Sequence, residues 1–444
     1  MIIISRRSCS GVVLLLALAA AHSAPFAAAG ESSPARGARI EPVPGQAELG
    51  TIEIHGVAAD SFDPAIWQSN QLHFQPDVRS PLLAPRLSGG FRNIYAPSIV
   101  EVPGGWRVFY GAWDGVPTGN DRIYSVSTPD FLDFGERCIE IDHGRFIHVC
   151  NVSAVRVNNS AFAMICTAYP DAKGLNKPAF FLGSVPVSGS GATGTDLSRR
   201  HGDCPLAWNG SPAPYAAQLD DIVDMNGYPP YRDADINGIN VLLHEQEAYR
   251  LYFGNWRVPG HVHRASALDG RRFRYEGPCL DSAHAVNDVK KLTSGNRTFY
   301  LMALHANADR LWYALSTGGM RFDAEQQLAT ALGPADRFIV AIGWVTQGNR
   351  LLGFLYGAGA VSELNRNRIF ARWLQKRLVF VADDGRRFEP AGALGPDRQI
   401  IALPAAGRLR GRFEVLGDDG RTRLAEPIPM SVTPGGVYRL HLPR

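Results

Sequence analysis

The chain has 444 residues, of which 45% are hydrophobic and 20% are charged, and its formal net charge is only +3. Acidic and basic residues are interspersed, so the sequence offers no basic surface of the kind that binds nucleic acid. The only long apolar run lies near the N-terminus and is shorter than the roughly 20 residues that span a bilayer. We therefore expect neither nucleic-acid binding nor a membrane span.

Residues 1–29 have the features of an export signal. Arg6 and Arg7 precede an apolar stretch at 11–21, and small residues at 24–29 offer cleavage sites. Residues 30–49 follow and are rich in Pro, Gly and Ala, which is typical of a linker. These features predict a secreted or periplasmic protein.

A segment with the same internal order then recurs along the chain. The letters WRVFYGAW at 106–113 return as YRLYFGNW at 249–256. Five repeats begin near residues 93, 149, 236, 286 and 339, each with a short apolar run, a tight turn and a second β-rich run. Further strands follow, joined by polar hairpins that a phenylalanine closes. Repeated four-stranded units predict an all-β protein, a five-bladed β-propeller.

The domain boundaries follow from the repeats. We place the propeller at 50–391, with residues 50–90 supplying a strand that helps to close the ring. The hairpin at 381–388 resembles those of the earlier repeats and is assigned to the fifth blade. Residues 392–444 carry further strand and turn patterns and are predicted to form a small C-terminal β-rich appendage.

Five cysteines remain once Cys9 has left with the export signal. The expected disulfide joins Cys138 and Cys150, which flank a predicted hairpin, and a second pairing would join Cys204 to Cys279. Cys166 is then left as a buried thiol. The cysteines lack metal-site spacing, so we expect no metal ligands among them.

The propeller geometry sorts the acidic residues by position. The first strand of each blade lines the central channel, and counting back from each first turn places one residue per blade there. These positions are Ser98, Ser153, Asn240, Asp288 and Trp344. Asp288 is the only acid among them and is the first catalytic candidate, because an unpaired buried carboxylate is costly. The alternative is a structural Asp that accepts hydrogen bonds from amides of a neighbouring blade.

Asp235 is the second catalytic candidate. It ends an acidic loop at 217–238 that enters the third blade, and its alternative role is that of a turn residue. A structural calcium ion in this loop is a further alternative, although the spacing does not match an EF-hand. We otherwise expect no cofactor.

Other loops on the same face carry aromatic and polar residues that suit a sugar. Aromatic rings stack on sugar faces, and hydroxyl groups need polar partners. The candidate substrate-binding residues are Arg92, Tyr95, Trp113, Asn151, Asn240, Trp256, His284, His305, Trp344 and Glu363.

Three segments together resemble the blade signature of five-bladed propeller glycosidases. They are Tyr95-Ala-Pro-Ser-Ile-Val, Trp106-Arg-Val-Phe-Tyr-Gly and Asn120-Asp-Arg-Ile-Tyr-Ser. That superfamily includes arabinanases, arabinofuranosidases, β-xylosidases and fructofuranosidases. The resemblance implies hydrolysis of a glycosidic bond by channel-facing carboxylates, with Asp121 and Asp288 in family-like surroundings.

The resemblance leaves the general acid open among Asp235, Glu363 and His284, and the chain has Ala96-Pro97 where relatives often have Asp-Pro. We therefore predict a secreted glycoside hydrolase of furanoside-type carbohydrate, with catalytic candidates Asp288, Asp235 and Asp121. On this prediction, Asp288→Asn abolishes turnover. The alternatives are a non-catalytic carbohydrate-binding propeller and a sialidase-like hydrolase. The oligomeric state is left open.

Overall fold

The computed structural model describes residues 37–85, 93–113, 120–184, 206–362, 366–403 and 407–443. These residues form seven β-sheets, five of which are propeller blades. The helical segments are the α-helix Pro64–Gln68 and the 3₁₀ turns Leu219–Asp221 and Tyr231–Asp233. None of the helices in these ranges has the length and apolar character needed to cross a membrane.

Each blade is built from antiparallel strands, with the first strand innermost. Blade I contains Asn93–Val102, Gly105–Trp113, Arg122–Thr128 and Cys138–Asp142. Blade II contains His148–Arg156, Ala161–Tyr169, Lys177–Ser184, Ala207–Trp208 and Ser211–Pro212. Blade III contains Val241–Glu245, Ala248–Phe253, Gly260–Ala267 and Arg272–Ser282, and blade IV Ala285–Ser294, Arg297–His305, Arg310–Ser316 and Gln326–Thr330. Blade V contains Phe338–Gln347, Arg350–Gly359 and Arg368–Leu374.

The ring closes through the N-terminal part of the chain. Phe74–Pro76 pairs with Arg368–Leu374 and becomes the outermost strand of blade V. The first strand of each blade contacts those of its two neighbours, and the last such contact joins blade V to blade I. Two short parallel strands, Tyr215–Ala216 and Asp224–Asn226, extend blades I and III. The predicted five-bladed propeller is confirmed, as is the N-terminal strand that closes it.

Polar side chains join the inner strands of neighbouring blades. Each inner strand is the edge of its sheet, so part of its backbone N–H groups need acceptors from outside the sheet. Side-chain oxygens of the preceding blade accept them: Ser98 from Ala154 (3.0 Å), Ser153 from Leu242 (3.1 Å) and Asp288 from Trp344 (2.8 Å). Three of the five positions expected to line the channel therefore hold the blades together.

The two remaining sheets form a sandwich around a core of their own, with Ile54, Phe380 and Phe413 fully buried. One sheet contains, in spatial order, Arg39–Val43, Val437–His441, Thr51–His55, Arg398–Ala402 and Pro390–Ala393. The other contains Arg387–Phe388, Arg377–Ala382, Leu409–Leu416 and Ile428–Val432.

The sandwich takes strands from both ends of the chain, which corrects the expected boundaries. Arg39–Val43 is a strand within the segment expected to be a linker, and the appendage begins at Arg377 rather than at residue 392. The hairpin at 381–388 belongs to the sandwich, because Phe74–Pro76 already occupies the outer place in blade V.

The expected disulfide between Cys138 and Cys150 does not form. Cys150 and Cys279 are thiols, and the Sγ of Cys279 lies 3.3 Å from the carbonyl oxygen of Val262. Cys204 lies outside the described residues. Cys166 is a buried thiol, as expected.

Candidate active site in the propeller funnel

A funnel-shaped cavity of about 590 Å³ opens where the inner strands begin. Four aromatic residues line it, Tyr95, Trp113, Tyr169 and Trp256, together with four amides, Asn93, Asn151, Asn237 and Asn307. Among the described residues of this wall, Asp121, His148 and His305 are the ionisable ones apart from the tyrosines. Small-molecule sites commonly measure about 300–1,000 Å³ and are lined in this way.

Asp121 lies just before the third strand of blade I, and its side chain enters the funnel wall. The residue is 4% exposed. The hydroxyl of Tyr95 donates a hydrogen bond to Asp121 Oδ2, and His148 Nδ1 lies 3.2 Å from the same oxygen. Asp121 Oδ1 has no hydrogen-bond partner among the described residues. An unpaired buried acceptor costs about 1–3 kcal/mol, so this oxygen is one that a bound ligand can satisfy.

His148 and Cys150 approach Asp121 from the inner strand of blade II. Residues two apart on a strand point to the same face. The backbone N–H of Val149 donates to the carbonyl oxygen of Asp121 at 3.1 Å, which places the two segments side by side. Donor atoms of Asp121, His148 and Cys150 consequently lie within 4.8 Å of one another. Burial, with a smaller contribution from the charge of Asp121, raises the pKa of the Cys150 thiol.

Tyr169 completes this wall of the funnel. Its ring stacks on His148 with centroids 4.1 Å apart, and its hydroxyl donates to Asn237 Oδ1. Asn151 Nδ2 donates in turn to the Tyr169 hydroxyl at 3.3 Å. Burial raises the pKa of both Tyr95 and Tyr169, so their hydroxyls remain neutral donors.

Two inner strands have an unusual backbone at the funnel mouth. Ala96 and Asn151 adopt φ values of +53° and +55° at matching bulges in blades I and II. Asn tolerates this left-handed conformation better than Ala does. Ala96 is fully buried in the hydrophobic core, and this position carries no carboxylate.

The funnel brings together six of the residues predicted from sequence: Tyr95, Trp113, Asp121, Asn151, Trp256 and His305. His284 lines a second cavity of about 230 Å³, which shares Trp256, His305 and Asn307 with the funnel. Arg92 and Glu363 lie outside the described residues.

Asp288 does not line either cavity. Its Oδ2 accepts the hydrogen bond from Trp344 N and lies 3.2 Å from Lys290 Nζ. This is the alternative role considered from the sequence, in which the carboxylate joins neighbouring blades.

Three further predicted site residues also lie outside both cavities. Asp235 fixes its loop, accepting a hydrogen bond from Asn176 Nδ2 at 2.7 Å on its side chain. Asn240 is fully buried and donates to Thr167 Oγ1 at 3.0 Å. Trp344 packs in the core, with its ring centroid 5.6 Å from that of Trp67. Polar or aromatic character on an inner strand does not reveal whether a side chain faces the channel or another blade.

His148 and Cys150 were not among the site residues expected from the sequence. The available signal was the His-x-Cys spacing at the start of an inner strand, which puts both side chains on one face. Cys150 was expected to form a disulfide and was therefore not considered as a site residue.

We expect the stability of the protein to depend on pH through His305. Burial lowers the pKa of His305 from 6.5 to about 4. Between these values the unfolded chain binds more protons than the native protein, so stability falls as the pH drops from about 6.5 to about 4. We expect His305→Gln to reduce this loss in the free energy of unfolding by about 3 kcal/mol at most. Urea unfolding at a series of pH values measures the effect.

The matched control is His261→Gln, since the side chain of His261 is 44% exposed. Burial also lowers the pKa of His73 and of His263 to about 4, so the variant should retain some of the slope. An unchanged slope in His305→Gln would contradict the prediction.

The sequence matches no protein-family model and no curated protein. Among solved structures, the fold is similar to the catalytic domain of an α-L-arabinofuranosidase from Coprinopsis cinerea, with 15% identity, 68% of this chain and 97% of that chain covered, and a TM-score of 0.46. An α-L-arabinofuranosidase from Podospora anserina gives 12% identity, coverage of 68% and 97%, and a TM-score of 0.46. A β-fructofuranosidase from Bombyx mori gives 8% identity, coverage of 84% and 94%, and a TM-score of 0.42.

Proposed function

We propose that the protein is a glycoside hydrolase that binds a sugar in the funnel and cleaves its glycosidic bond at Asp121. The observation that carries the proposal is the buried Asp121, with its unpartnered Oδ1, among four aromatic rings and four amides in a cavity of about 590 Å³. Rings can stack on sugar faces and amides can bind hydroxyl groups. The carboxylate is then available to the anomeric centre.

Two tryptophans support sugar binding in particular. Trp256 is 51% exposed, and its Nε1 donates to the carbonyl oxygen of Asn237 at 3.0 Å, which fixes the indole at the rim. Trp113 Nε1 is buried and has no hydrogen-bond partner among the described residues. A sugar hydroxyl would satisfy this donor.

Glycoside hydrolysis needs one group that protonates the leaving oxygen and another that activates water or attacks the sugar. Asp121 is the only carboxylate among the described residues that line the funnel. Among the described residues, the second group needed for hydrolysis must therefore be a side chain other than a carboxylate. His148 is the nearest, with Nδ1 3.2 Å from Asp121 Oδ2, and imidazoles commonly transfer protons.

We further propose that the protein is exported and that its substrate is a furanoside-type oligosaccharide or polysaccharide. The N-terminal segment supports export. The blade motifs at 95–100, 106–111 and 120–125 support a furanoside through their resemblance to propeller glycosidases. The second cavity of about 230 Å³ shares residues with the funnel and gives room for a further sugar unit.

A non-catalytic carbohydrate-binding propeller is the second candidate. One specific feature favours it. The funnel has a single carboxylate in its described wall. The buried Ala96 stands at the position where the signature of propeller glycosidases often has Asp. Such a funnel could bind a sugar without cleaving it.

The test is incubation of the purified protein with arabinan, arabinoxylan, fructan, xylan and aryl furanosides and pyranosides. New reducing ends or released aryl groups measure cleavage, and calorimetry with the same sugars measures binding. We expect cleavage of a furanoside. Binding without cleavage would favour the second candidate, and the absence of both would overturn the proposal.

A further inference from the structure

We propose that Asp121, His148 and Cys150 form a binding site for a zinc ion in the wall of the funnel. Their donor atoms, a carboxylate oxygen, an imidazole nitrogen and a thiol sulfur, lie within 4.8 Å of one another. Each of these side chains is a common zinc ligand in proteins.

The donor set selects the class of metal. Thiolate and imidazole ligands favour zinc and related transition metals, whereas calcium and magnesium prefer oxygen ligands. Three protein ligands leave one tetrahedral position free, which is the pattern of catalytic rather than structural zinc. Asp121 and His148 line the cavity that we assign to the sugar, so the free position can face a bound molecule.

The fold holds the three side chains in place. The hydrogen bond from Val149 N to the Asp121 carbonyl joins the two segments, and strand alternation puts His148 and Cys150 on one face. Tetrahedral zinc places its ligand atoms about 3–4 Å apart. Small side-chain rotations therefore suffice to close the site. The Tyr95 hydroxyl, bonded to Asp121 Oδ2, and the Tyr169 ring, stacked on His148, would keep these ligands oriented.

The unpartnered oxygen of Asp121 indicates that the cluster binds a ligand. Asp121 is 4% exposed, yet its Oδ1 has no partner among the described residues. Cys150 is 1% exposed, forms no disulfide and has no role in hydrolysis by two carboxylates. On binding, the Cys150 thiol loses its proton to solvent as the zinc–sulfur bond forms. The two positive charges of zinc then balance one thiolate and one carboxylate.

The inference rests on the proposed function only for the position of the sugar. With zinc bound, Asp121 and His148 are ligands. Zinc lowers the pKa of a bound water and can polarise an oxygen of a substrate, so the acid–base work would pass to the free position.

The experiment uses the purified full chain, stripped with a chelator and titrated with Zn²⁺ by calorimetry and with Co²⁺ by absorption spectroscopy. We expect one equivalent to bind and the Co²⁺ form to show a thiolate-to-metal charge-transfer band. Cys150→Ser should lose this band and bind zinc at least about tenfold more weakly. The matched control is Cys166→Ser, a fully buried thiol on the neighbouring strand outside the cluster, which should keep both properties.

The outcomes separate the metal site from the proposed function. No zinc uptake, or equal uptake and an equal band in Cys150→Ser, overturns the site. If Cys150→Ser does not fold, His148→Gln serves instead, because that side chain is 25% exposed, and unchanged zinc affinity in it overturns the site. Sugar cleavage by a protein that takes up no zinc overturns the site and leaves the function. Zinc uptake without sugar cleavage or binding supports the zinc site and overturns the proposed function.

Discussion

Asp121→Asn is expected to lower kcat by about 10²–10⁴-fold on any glycoside that the protein cleaves. Asparagine has nearly the same shape, and its side-chain oxygen can still accept the hydrogen bond from Tyr95. It carries no negative charge and cannot serve as a base or a nucleophile. Initial rates on the best substrate of the panel measure the effect, and thermal unfolding checks that the fold is retained.

Asp288→Asn and Asp235→Asn are the matched controls for this prediction. Both residues lie outside the funnel, Asp288 at the contact between blades IV and V and Asp235 in a loop bonded to Asn176. We expect normal kcat in both and a lower unfolding free energy in Asp288→Asn, because its ion pair with Lys290 is lost. Loss of turnover in a folded Asp288→Asn would support the catalytic role that the sequence predicts for Asp288. It would contradict the catalytic role proposed for Asp121.

The repeats made the propeller and part of its site predictable. The letters WRVFYGAW and YRLYFGNW correspond to the second strands of blades I and III, Gly105–Trp113 and Ala248–Phe253 with its following loop. Their final residues, Trp113 and Trp256, both line the funnel. Periodic turns and apolar runs are local signals, and a propeller repeats them with the same geometry in each blade.

The remaining site depended on contacts that local patterns do not encode. Asp121 and His148 belong to different blades and meet through one backbone hydrogen bond, from Val149 N to the Asp121 carbonyl. The prediction that Asp288 faces the channel was wrong. A polar side chain on an inner strand can face the channel, but it can also accept hydrogen bonds from N–H groups at the edge of the neighbouring blade. The hairpin at 381–388 has the turn chemistry of a blade, but long-range pairing with Leu409–Leu416 places it in the sandwich.

Glu140→Ala is expected to lower the unfolding free energy by about 3–5 kcal/mol, since it removes the carboxylate that pairs with a buried guanidinium. Glu140 is fully buried and accepts hydrogen bonds from Arg107, itself 2% exposed, and from Ser125 Oγ at 2.5 Å. It also accepts from Leu206 N at 3.1 Å and from Trp208 Nε1 at 2.7 Å. The carboxylate thus links blade I to blade II.

Urea unfolding of Glu140→Ala should be compared with that of Arg387→Ala. Arg387 NH2 lies 3.0 Å from Glu414, but its side chain is 51% exposed, so this ion pair contributes less than about 1 kcal/mol. The two variants each remove one partner of an ion pair and differ in burial. A similar small loss in both would show that the Glu140 network does not hold blades I and II together. A large loss confined to Glu140→Ala would show that this buried charge cluster holds blades I and II together.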